Sequence, residues 1–180
     1  MDATRIARLD DRGVVSVTGP DAEKLLQNII TADMDWLAEK LATHAALLIP
    51  QGKMMFEFLV VKAGDGFRLE TSRAKATDLV KRLGLYKLRA NVVIADDSAG
   101  FEVLAAWGDV APAIDGAIVY ADPRLPALGW RIIAPRGAVT PTAEAADYHE
   151  HRIGLGVPEA EKDYPLGDAY PHEALLDQLG

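Results

Sequence analysis

The feature that most constrains the fold is a pair of apolar runs on either side of the tetrapeptide P-Q-G-K at residues 50–53. Proline fixes φ for the first corner of a tight turn, and glycine supplies a positive φ further on. Residues 47–49 and 54–61 are therefore predicted to form two antiparallel strands joined by a hairpin. Both strands are apolar at almost every position, so both faces of their sheet are expected to be covered.

One acidic residue interrupts the second apolar run. Glu57 stands between Phe56 and Phe58, in the middle of the predicted strand. A carboxylate in an apolar strand costs free energy unless it is paired or faces a cleft. Two interpretations are open at this point: a strand face exposed to water, or an acid that faces a ligand.

Composition narrows the range of partners. The 180 residues are enough for one domain or two small subdomains. A net charge of −8, with acids spread along the chain, disfavours nucleic-acid binding through a broad basic surface. The sequence has no cysteine, no apolar run long enough to cross a membrane and no signal-peptide core at its first residues. We therefore expect a cytoplasmic protein that binds neither nucleic acid directly nor a membrane.

The order of the apolar segments predicts an α+β fold. Over about the first 95 residues the pattern is β-α-β-β-β-α-β, with the two helices on one face of the sheet. The second helix is predicted to begin after Ser72 and to end at Gly84. A polar break at 96–100 suggests two α+β subdomains, residues 1–96 and residues 97–180.

The second predicted subdomain is less regular. Strands are expected at 101–107 and 130–134, with a Pro- and Gly-rich loop between them. Thr142 is expected to cap a helix that runs to about Ile153, and an irregular segment rich in Pro and Gly follows it.

Few residues carry an obvious chemical signal. If the segment 86–89 (Y-K-L-R) is a strand, Lys87 and Arg89 share one face and could hold a polyanion such as a glutamate tail, although a solvated face is the commoner case. His149 and His151 are two residues apart and cannot share a metal ion on a helix. No nucleotide-binding loop and no nucleophile elbow are present, so no catalytic residue and no metal ligand are assigned.

Taken together, several short segments resemble the YgfZ/GcvT-like folate-binding protein family. This family is related to the T-protein of glycine cleavage, an aminomethyltransferase that uses tetrahydrofolate. The resemblance keeps the order of the motifs and covers nearly the whole chain. The matching segments are 9–14 (L-D-D-R-G-V), 17–22 (V-T-G-P-D-A), 26–28 (L-Q-N) with 31–33 (T-A-D), 50–53 (P-Q-G-K), 86–89 (Y-K-L-R), 152–158 (R-I-G-L-G-V-P) and 170–174 (Y-P-H-E-A).

The resemblance implies ferredoxin-like α+β subdomains around a central cleft for tetrahydrofolate or another reduced folate. It also implies a role in the assembly or repair of iron–sulfur clusters, and so in tRNA modification by enzymes that carry such clusters. The partners would be iron–sulfur assembly or client proteins. Carried over to this sequence, the family's cleft places Tyr148 and Glu57 near the pterin. The glutamate tail would then reach Arg12, Lys87 or Arg89.

The sequence also departs from the family pattern. The family continues into K-G-C-Y-x-G-Q-E and a C-terminal β-barrel, which this 180-residue sequence does not include. The T-protein has an acidic pair where this chain has Phe56 and Glu57, and a glutamate where this chain has Gly154. Loss of these acids weakens proton handling. We therefore expect a non-enzymatic folate-binding assembly factor; the alternatives are a T-protein-like aminomethyltransferase and a scaffold that binds only protein partners.

Overall fold

The structure is a computed structural model and describes residues 3–64 and 66–179. Its strands form two antiparallel sheets, and three α-helices pack around them. The α+β class predicted from the sequence is confirmed. In chain order the elements are β1 (Arg5–Arg8), β2 (Arg12–Thr18), α1 (Ala22–Ile29), β3 (Ala42–Leu48), β4 (Met54–Ala63), β5 (Gly66–Ser72), α2 (Arg73–Lys87), β6 (Val93–Asp96), β7 (Phe101–Trp107), β8 (Ile118–Ala121), β9 (Trp130–Pro135) and α3 (Ala145–Gly154).

The predicted hairpin forms the start of a five-stranded sheet with the order β3-β4-β5-β2-β6. Its turn closes through hydrogen bonds between Ile49 and Lys53 and between Gly52 and Ile49, with Gly52 at φ +87. Strand β4 lies between β3 and β5, with Ala46 opposite Glu57 in the β3 register. The hairpin prediction is therefore confirmed.

Both faces of this sheet are covered, as its apolar strands predicted. On one face, helices α1 and α2 bury Leu26 and Leu79 against Phe58 and its neighbours. On the opposite face, Leu59 and Val61 pack against the second sheet. Strand alternation therefore directs Phe56 and Phe58 toward the helices, and Glu57 toward the space between the two sheets.

The second sheet has the order β1-β7-β9-β8. Sequence patterns missed two of its strands. Strand β1 is only four residues long, with an arginine at each end and two apolar residues between them, and β8 lies in the segment predicted to be a loop. Although it precedes β2 in the chain, β1 pairs with β7, where Arg5 lies opposite Trp107. The division at residue 96 stays a prediction.

Two predicted helix boundaries are wrong. Helix α2 continues through Gly84 to Lys87 and ends at Leu88, which adopts φ 45. A side chain at Gly84 would meet nothing within 4 Å, so the glycine is a weak helix former there and not a stop. Helix α3 begins at Ala145 with Glu144 as its cap, because the Thr142 hydroxyl instead accepts a hydrogen bond from the backbone of Ile6 in β1.

The chain after α3 lies along the edge of the hairpin. We call residues 157–179 the C-terminal segment. It is irregular apart from a short 3-10 turn at Pro171–Ala174, in agreement with the sequence pattern. The backbone of Met54 exchanges hydrogen bonds with Gly167 and Ala169, and the side chain of Met54 packs against Ala174. Among the described residues, no helix is both long and apolar enough to span a bilayer.

Candidate functional site

The space between the two sheets holds a buried group of charged and phenolic side chains, which we call the interior network. Three guanidinium groups face three carboxylates there, and two tyrosine hydroxyls complete the group. All eight residues are buried. Its members are Arg12, Glu57, Glu70, Tyr120, Asp122, Arg124, Arg131 and Tyr148.

The first half of the interior network is built on the five-stranded sheet. Arg12, at the start of β2, donates from Nε to Glu70 Oε1 at 2.8 Å and from a terminal nitrogen to the Glu70 backbone carbonyl at 3.2 Å. Its other terminal nitrogen lies 3.8 Å from Glu57 Oε2. Glu70 Oε2 also accepts a hydrogen bond of 2.9 Å from the Tyr120 hydroxyl, which joins the two sheets. Burial and the neighbouring Glu70 carboxylate raise the pKa of Tyr120 well above its ordinary value, so its hydroxyl stays protonated as the donor.

The second half is built on the four-stranded sheet and on α3. Arg124 holds Asp122 with a bidentate pair of hydrogen bonds of 2.9 and 2.7 Å, and donates to the Tyr148 hydroxyl at 3.1 Å. Arg131 donates from Nε to Asp122 Oδ2 at 3.1 Å. Burial alone would raise the pKa of Asp122, but the charges and hydrogen bonds of the two arginines outweigh it and hold that pKa well below its ordinary value. The carboxylate is therefore ionised across the physiological range.

Glu57 links the interior network to His44 in β3. The imidazole Nε2 lies 2.7 Å from Glu57 Oε1, and Nδ1 lies 3.2 Å from the backbone carbonyl of Leu179 in the C-terminal segment. Both contacts are made with acceptors, so a doubly protonated imidazole satisfies both. Burial would raise the pKa of Glu57, but the His44 hydrogen bond and the Arg12 charge lower it to about 2.

Three polar atoms of the interior network have no hydrogen-bond partner among the described residues. They are both terminal nitrogens of Arg131 and Oε2 of Glu57. The Arg131 guanidinium lies 5.1 Å from the centre of the Tyr148 ring. This cation–π contact offsets part of the free-energy cost of burying nitrogens that have no hydrogen-bond partner. These atoms give the site unused capacity for binding a polar group.

The structure brings together three of the five predicted site residues. Arg12, Glu57 and Tyr148 all belong to the interior network. Glu57 is 4% exposed, which excludes the interpretation that it lies on a strand face exposed to water. Lys87 and Arg89 lie at the end of α2, on the opposite side of the five-stranded sheet. The prediction that they share a strand face is wrong, because Lys87 is the last residue of α2 and Arg89 lies in the turn that follows it.

Sequence reasoning missed most of the interior network. Arg131 lies in the otherwise apolar strand β9, a signal like the one that identified Glu57, whereas Glu70 lies in β5 beside other polar residues and gave no such signal. Asp122 and Arg124 gave no such signal, because they follow a strand that was not predicted. Their role depends on contacts with residues that are distant in sequence.

A second cluster has the spacing of a metal site. One ligand atom from each of Asp11, His149 and Glu159 lies within 4.8 Å of the others, and no other such group occurs in the described part of the chain. Cations already lie against all three residues, however: Arg152 donates to His149 Nδ1 at 3.0 Å and lies 3.7 Å from Glu159 Oε2, and Lys162 lies 2.5 Å from Asp11 Oδ2. Burial lowers the pKa of His149, in keeping with a neutral ring that accepts this hydrogen bond. The arrangement is an ion-pair cluster and does not favour a metal ion.

Comparison with known proteins identifies relatives of this chain. No family model matches it. The chain is 30% identical over 196 residues to the iron–sulfur cluster assembly factor IBA57 homolog, mitochondrial, of Mycosarcoma maydis, covering 97% of this chain and 49% of that protein. It is 32% identical over 189 residues to the protein of the same description from Pyricularia oryzae, covering 96% and 48%. The chain thus spans about half the length of the curated relatives it matches.

The fold resembles that of a solved aminomethyltransferase. Glycine cleavage system aminomethyltransferase T from Bartonella henselae matches with a TM-score of 0.63 and 14% identity, over 85% of this chain and 46% of that one. At this identity the match describes the fold alone. It agrees with the T-protein-like architecture that the sequence motifs implied.

One expectation from the sequence is overturned by these relatives. Both are described as mitochondrial proteins, which contradicts the predicted cytoplasmic location. The prediction was wrong because the charge and hydropathy of a folded region do not encode its compartment.

Proposed function

We propose that this chain acts in the assembly of iron–sulfur clusters. The observation that carries the proposal is its similarity to iron–sulfur cluster assembly factors over 97% of its length, at 30% identity. Proteins of the assembly machinery would be its partners. A closer relation to the YgfZ-like members of the folate-binding group, and a downstream effect on tRNA modification, are further parts of the proposal.

Within that role, we assign this chain a binding and positioning task. Clusters are held mainly by cysteine thiolates, and these 180 residues contain none. The cluster would therefore be cargo whose thiolate ligands come from a partner or from sequence outside these residues. The two sheets, held together by the interior network, would supply a stable surface on which a partner docks.

Folate binding is proposed here with a narrower set of contacts than the sequence suggested. Tyr148 is 1% exposed, and its ring already contacts Arg131 and Trp107. Arg12 is committed to Glu70 and Glu57. Neither residue offers a free face to a pterin. Among the predicted residues of the interior network, only Glu57 has an oxygen without a hydrogen-bond partner, so Glu57 is the residue we propose would accept a hydrogen bond from a reduced folate.

A titration tests the folate part. Tetrahydrofolate is added under anaerobic conditions while tryptophan fluorescence is followed, using the wild-type chain, Glu57→Gln and the exposed control Glu23→Gln. We expect Glu57→Gln to bind about tenfold more weakly or worse, because a charged hydrogen bond is lost, and Glu23→Gln to match wild type. A thermal melt confirms that each variant is folded. Equal affinity in all three proteins would contradict the assignment of Glu57.

The aminomethyltransferase alternative is not favoured. A general base works best when its pKa lies near the operating pH. Of the acidic pair expected on β4, Phe56 replaces one member, and the pKa of Glu57, the other, is lowered to about 2 by the His44 hydrogen bond and the Arg12 charge, which makes it a weak base. Gly154 replaces the other expected acid.

A complementation experiment tests the assembly role. Cells that lack the homologous assembly factor receive a chimera in which this chain replaces the homologous region of that factor. Aconitase activity reports cluster delivery, and malate dehydrogenase, which carries no cluster, serves as the control. We expect the chimera to restore aconitase alone, and the 180-residue chain by itself to restore little. Release of ammonia from an aminomethyl-lipoyl carrier by this chain, with no rescue of aconitase, would overturn the proposal.

A further inference from the structure

The end of helix α2 carries a basic surface on an otherwise acidic protein. From residue 79 to residue 95 the sequence has four cations and no acid, although the whole chain has a net charge of −8. The four cations are Lys81, Arg82, Lys87 and Arg89. In the described part of the chain, only Lys81 among them forms an ion pair, at 3.4 Å from Asp78. Three positive charges are therefore available to a partner.

Exposed apolar side chains lie in the same segment. Leu85 is 67% exposed, Leu88 is 88% exposed and Val93 is 64% exposed. Leu88 ends the helix at φ 45 and ψ −108, a conformation that non-glycine residues rarely adopt. Scattered exposed apolar residues are ordinary on a protein surface, but here they are grouped with unpaired cations.

Three residues of this segment, Lys81, Arg82 and Leu85, also line a concave surface. A groove of about 400 Å³ lies between α2 and the beginning of β4. Met55 and Phe56 lie on the β4 side, and Leu85 lies on the helix side. Arg82 and the Asp78–Lys81 pair complete its lining.

We propose that this groove docks a protein segment that presents an apolar side chain flanked by carboxylates. The apolar side chain would lie against Met55, Phe56 and Leu85, and the carboxylates would face Arg82, Lys87 and Arg89. The surface lies on the helix-covered side of the five-stranded sheet, away from the interior network, so it is separate from the proposed folate contact.

The observations favour a protein segment over the other polyanions. A bilayer presents a flat surface and does not fill a groove, and four cations are few for a nucleic acid that the remaining charge of the chain repels. The exposed apolar residues are mainly aliphatic, whereas single-stranded nucleic acids are bound through aromatic stacking. An acidic segment complements the charge of the cations, and its apolar side chain complements the exposed apolar residues.

The test uses a set of fluorescent peptides in which one Leu, Met or Phe is flanked by two glutamates on each side. The 180-residue chain is titrated into each peptide, and anisotropy is measured. Binding is expected for the acidic peptides, and it should weaken as the salt concentration rises from about 50 mM to about 500 mM. Matched peptides with Ser at the centre, or with Gln in place of Glu, are expected to bind at least fivefold more weakly.

Variants of the protein locate the contact. The double variant Arg82→Glu with Arg89→Glu is expected to reduce affinity about tenfold, because two favourable charge contacts become repulsive. Leu85→Ser, which changes an exposed apolar residue that lines the groove, is expected to reduce the affinity without changing its salt dependence. The control variants Lys24→Glu and Val110→Ser remove an exposed cation and an exposed apolar residue elsewhere, and they are expected to leave affinity unchanged.

Three outcomes of the binding experiments would overturn the proposal. The first is that none of the acidic peptides binds, and the second is that the control variants weaken binding as much as the α2 variants do. The third is that a mixed-sequence RNA oligonucleotide, or a vesicle of phosphatidylcholine and phosphatidylglycerol, binds with the same dependence on Arg82 and Arg89. Sedimentation of the free chain tests the remaining alternative, because self-association that is lost in Leu85→Ser would assign the groove to a second copy and contradict the proposal.

Discussion

Each carboxylate of the interior network has a guanidinium partner, so the cost of removing one residue is mainly the cost of leaving another charge unpaired. Arg131 is fully buried and contacts Asp122 directly, with Glu70 at 3.7 Å. Replacing one partner of a buried ion pair typically costs about 3–5 kcal/mol. The matched site for comparison is Arg89, which is exposed and makes no ion pair in the described chain.

We therefore predict that Arg131→Met lowers the free energy of unfolding by about 3–5 kcal/mol. Arg89→Met should change it by less than about 0.5 kcal/mol, because a surface residue without partners contributes little. Urea denaturation followed by circular dichroism measures both variants. A similar decrease in the free energy of unfolding for Arg131→Met and Arg89→Met would show that the contacts of Arg131 add no stability.

Glu57 gives a pH dependence whose sign follows from its surroundings. Its pKa in the folded chain is about 2, below the ordinary value of 4.5, because His44 and Arg12 outweigh the effect of burial. A lowered pKa contributes stability that is fully present above about pH 4.5 and is lost as the pH falls toward 2. The contribution is of the order of 3 kcal/mol.

We predict that wild type loses more stability than Glu57→Gln as the pH is lowered from about 5 to about 2. Glutamine cannot take up the proton, so the variant lacks this part of the acid response. Urea midpoints at several pH values measure the difference. Parallel curves for the two proteins would exclude Glu57 as a source of acid sensitivity.

At the scale of the elements, Gly84 and Gly13 show how the effect of a glycine depends on its position. Gly84 lies inside α2 with open space around its Cα, whereas a Cβ at Gly13 would lie 2.6 Å from Ser98 Oγ and 3.0 Å from the backbone of Arg73. The two glycines therefore respond to the same substitution in opposite ways.

Gly84→Ala is predicted to stabilise the chain by about 0.5–1 kcal/mol, since alanine is the better helix former and meets no clash. Gly13→Ala is predicted to destabilise it, because the backbone of α2 would have to shift. Thermal melts of the two variants and of wild type measure the change in stability. Stabilisation by Gly13→Ala, or none by Gly84→Ala, would contradict the geometry.

Elements with a strong local signal were predicted well from the sequence. The hairpin around P-Q-G-K and strand β7 follow from turn residues and apolar runs. Strands β1 and β8 were missed because each has four residues and is stabilised by pairing with a distant strand. The same reason applies to Asp122 and Arg124, whose burial depends on tertiary contacts that no local pattern records.

At the scale of the whole molecule, the interior network joins the two sheets. Arg12 and Glu70 come from one sheet, and Tyr120 and Arg131 come from the other. Strand β1 adds a backbone connection, because the chain passes from the second sheet into β2 of the first. The two sheets should therefore lose their structure together.

We predict that Arg12→Met reduces hydrogen-exchange protection in β4 and in β9 to a similar extent. In the described part of the chain, the side chain of Arg12 forms its ion pairs with Glu57 and Glu70, both in the first sheet, so lost protection in β9 reports coupling between the sheets. Mass spectrometry of peptides from both strands measures it. Unchanged protection in β9 would support the independent subdomains, residues 1–96 and 97–180, that the sequence suggested.

The pairing of β1 with β7 has a consequence during synthesis on the ribosome. Strand β1 leaves the exit tunnel before its partner strand β7, which is translated roughly 100 residues later, after about 5–20 s at typical elongation rates. The hairpin and α2 are complete before then. The second sheet is therefore completed last, and β1 stays unpaired while the first sheet forms beside it. A chaperone that protects nascent chains would meet β1 in that interval.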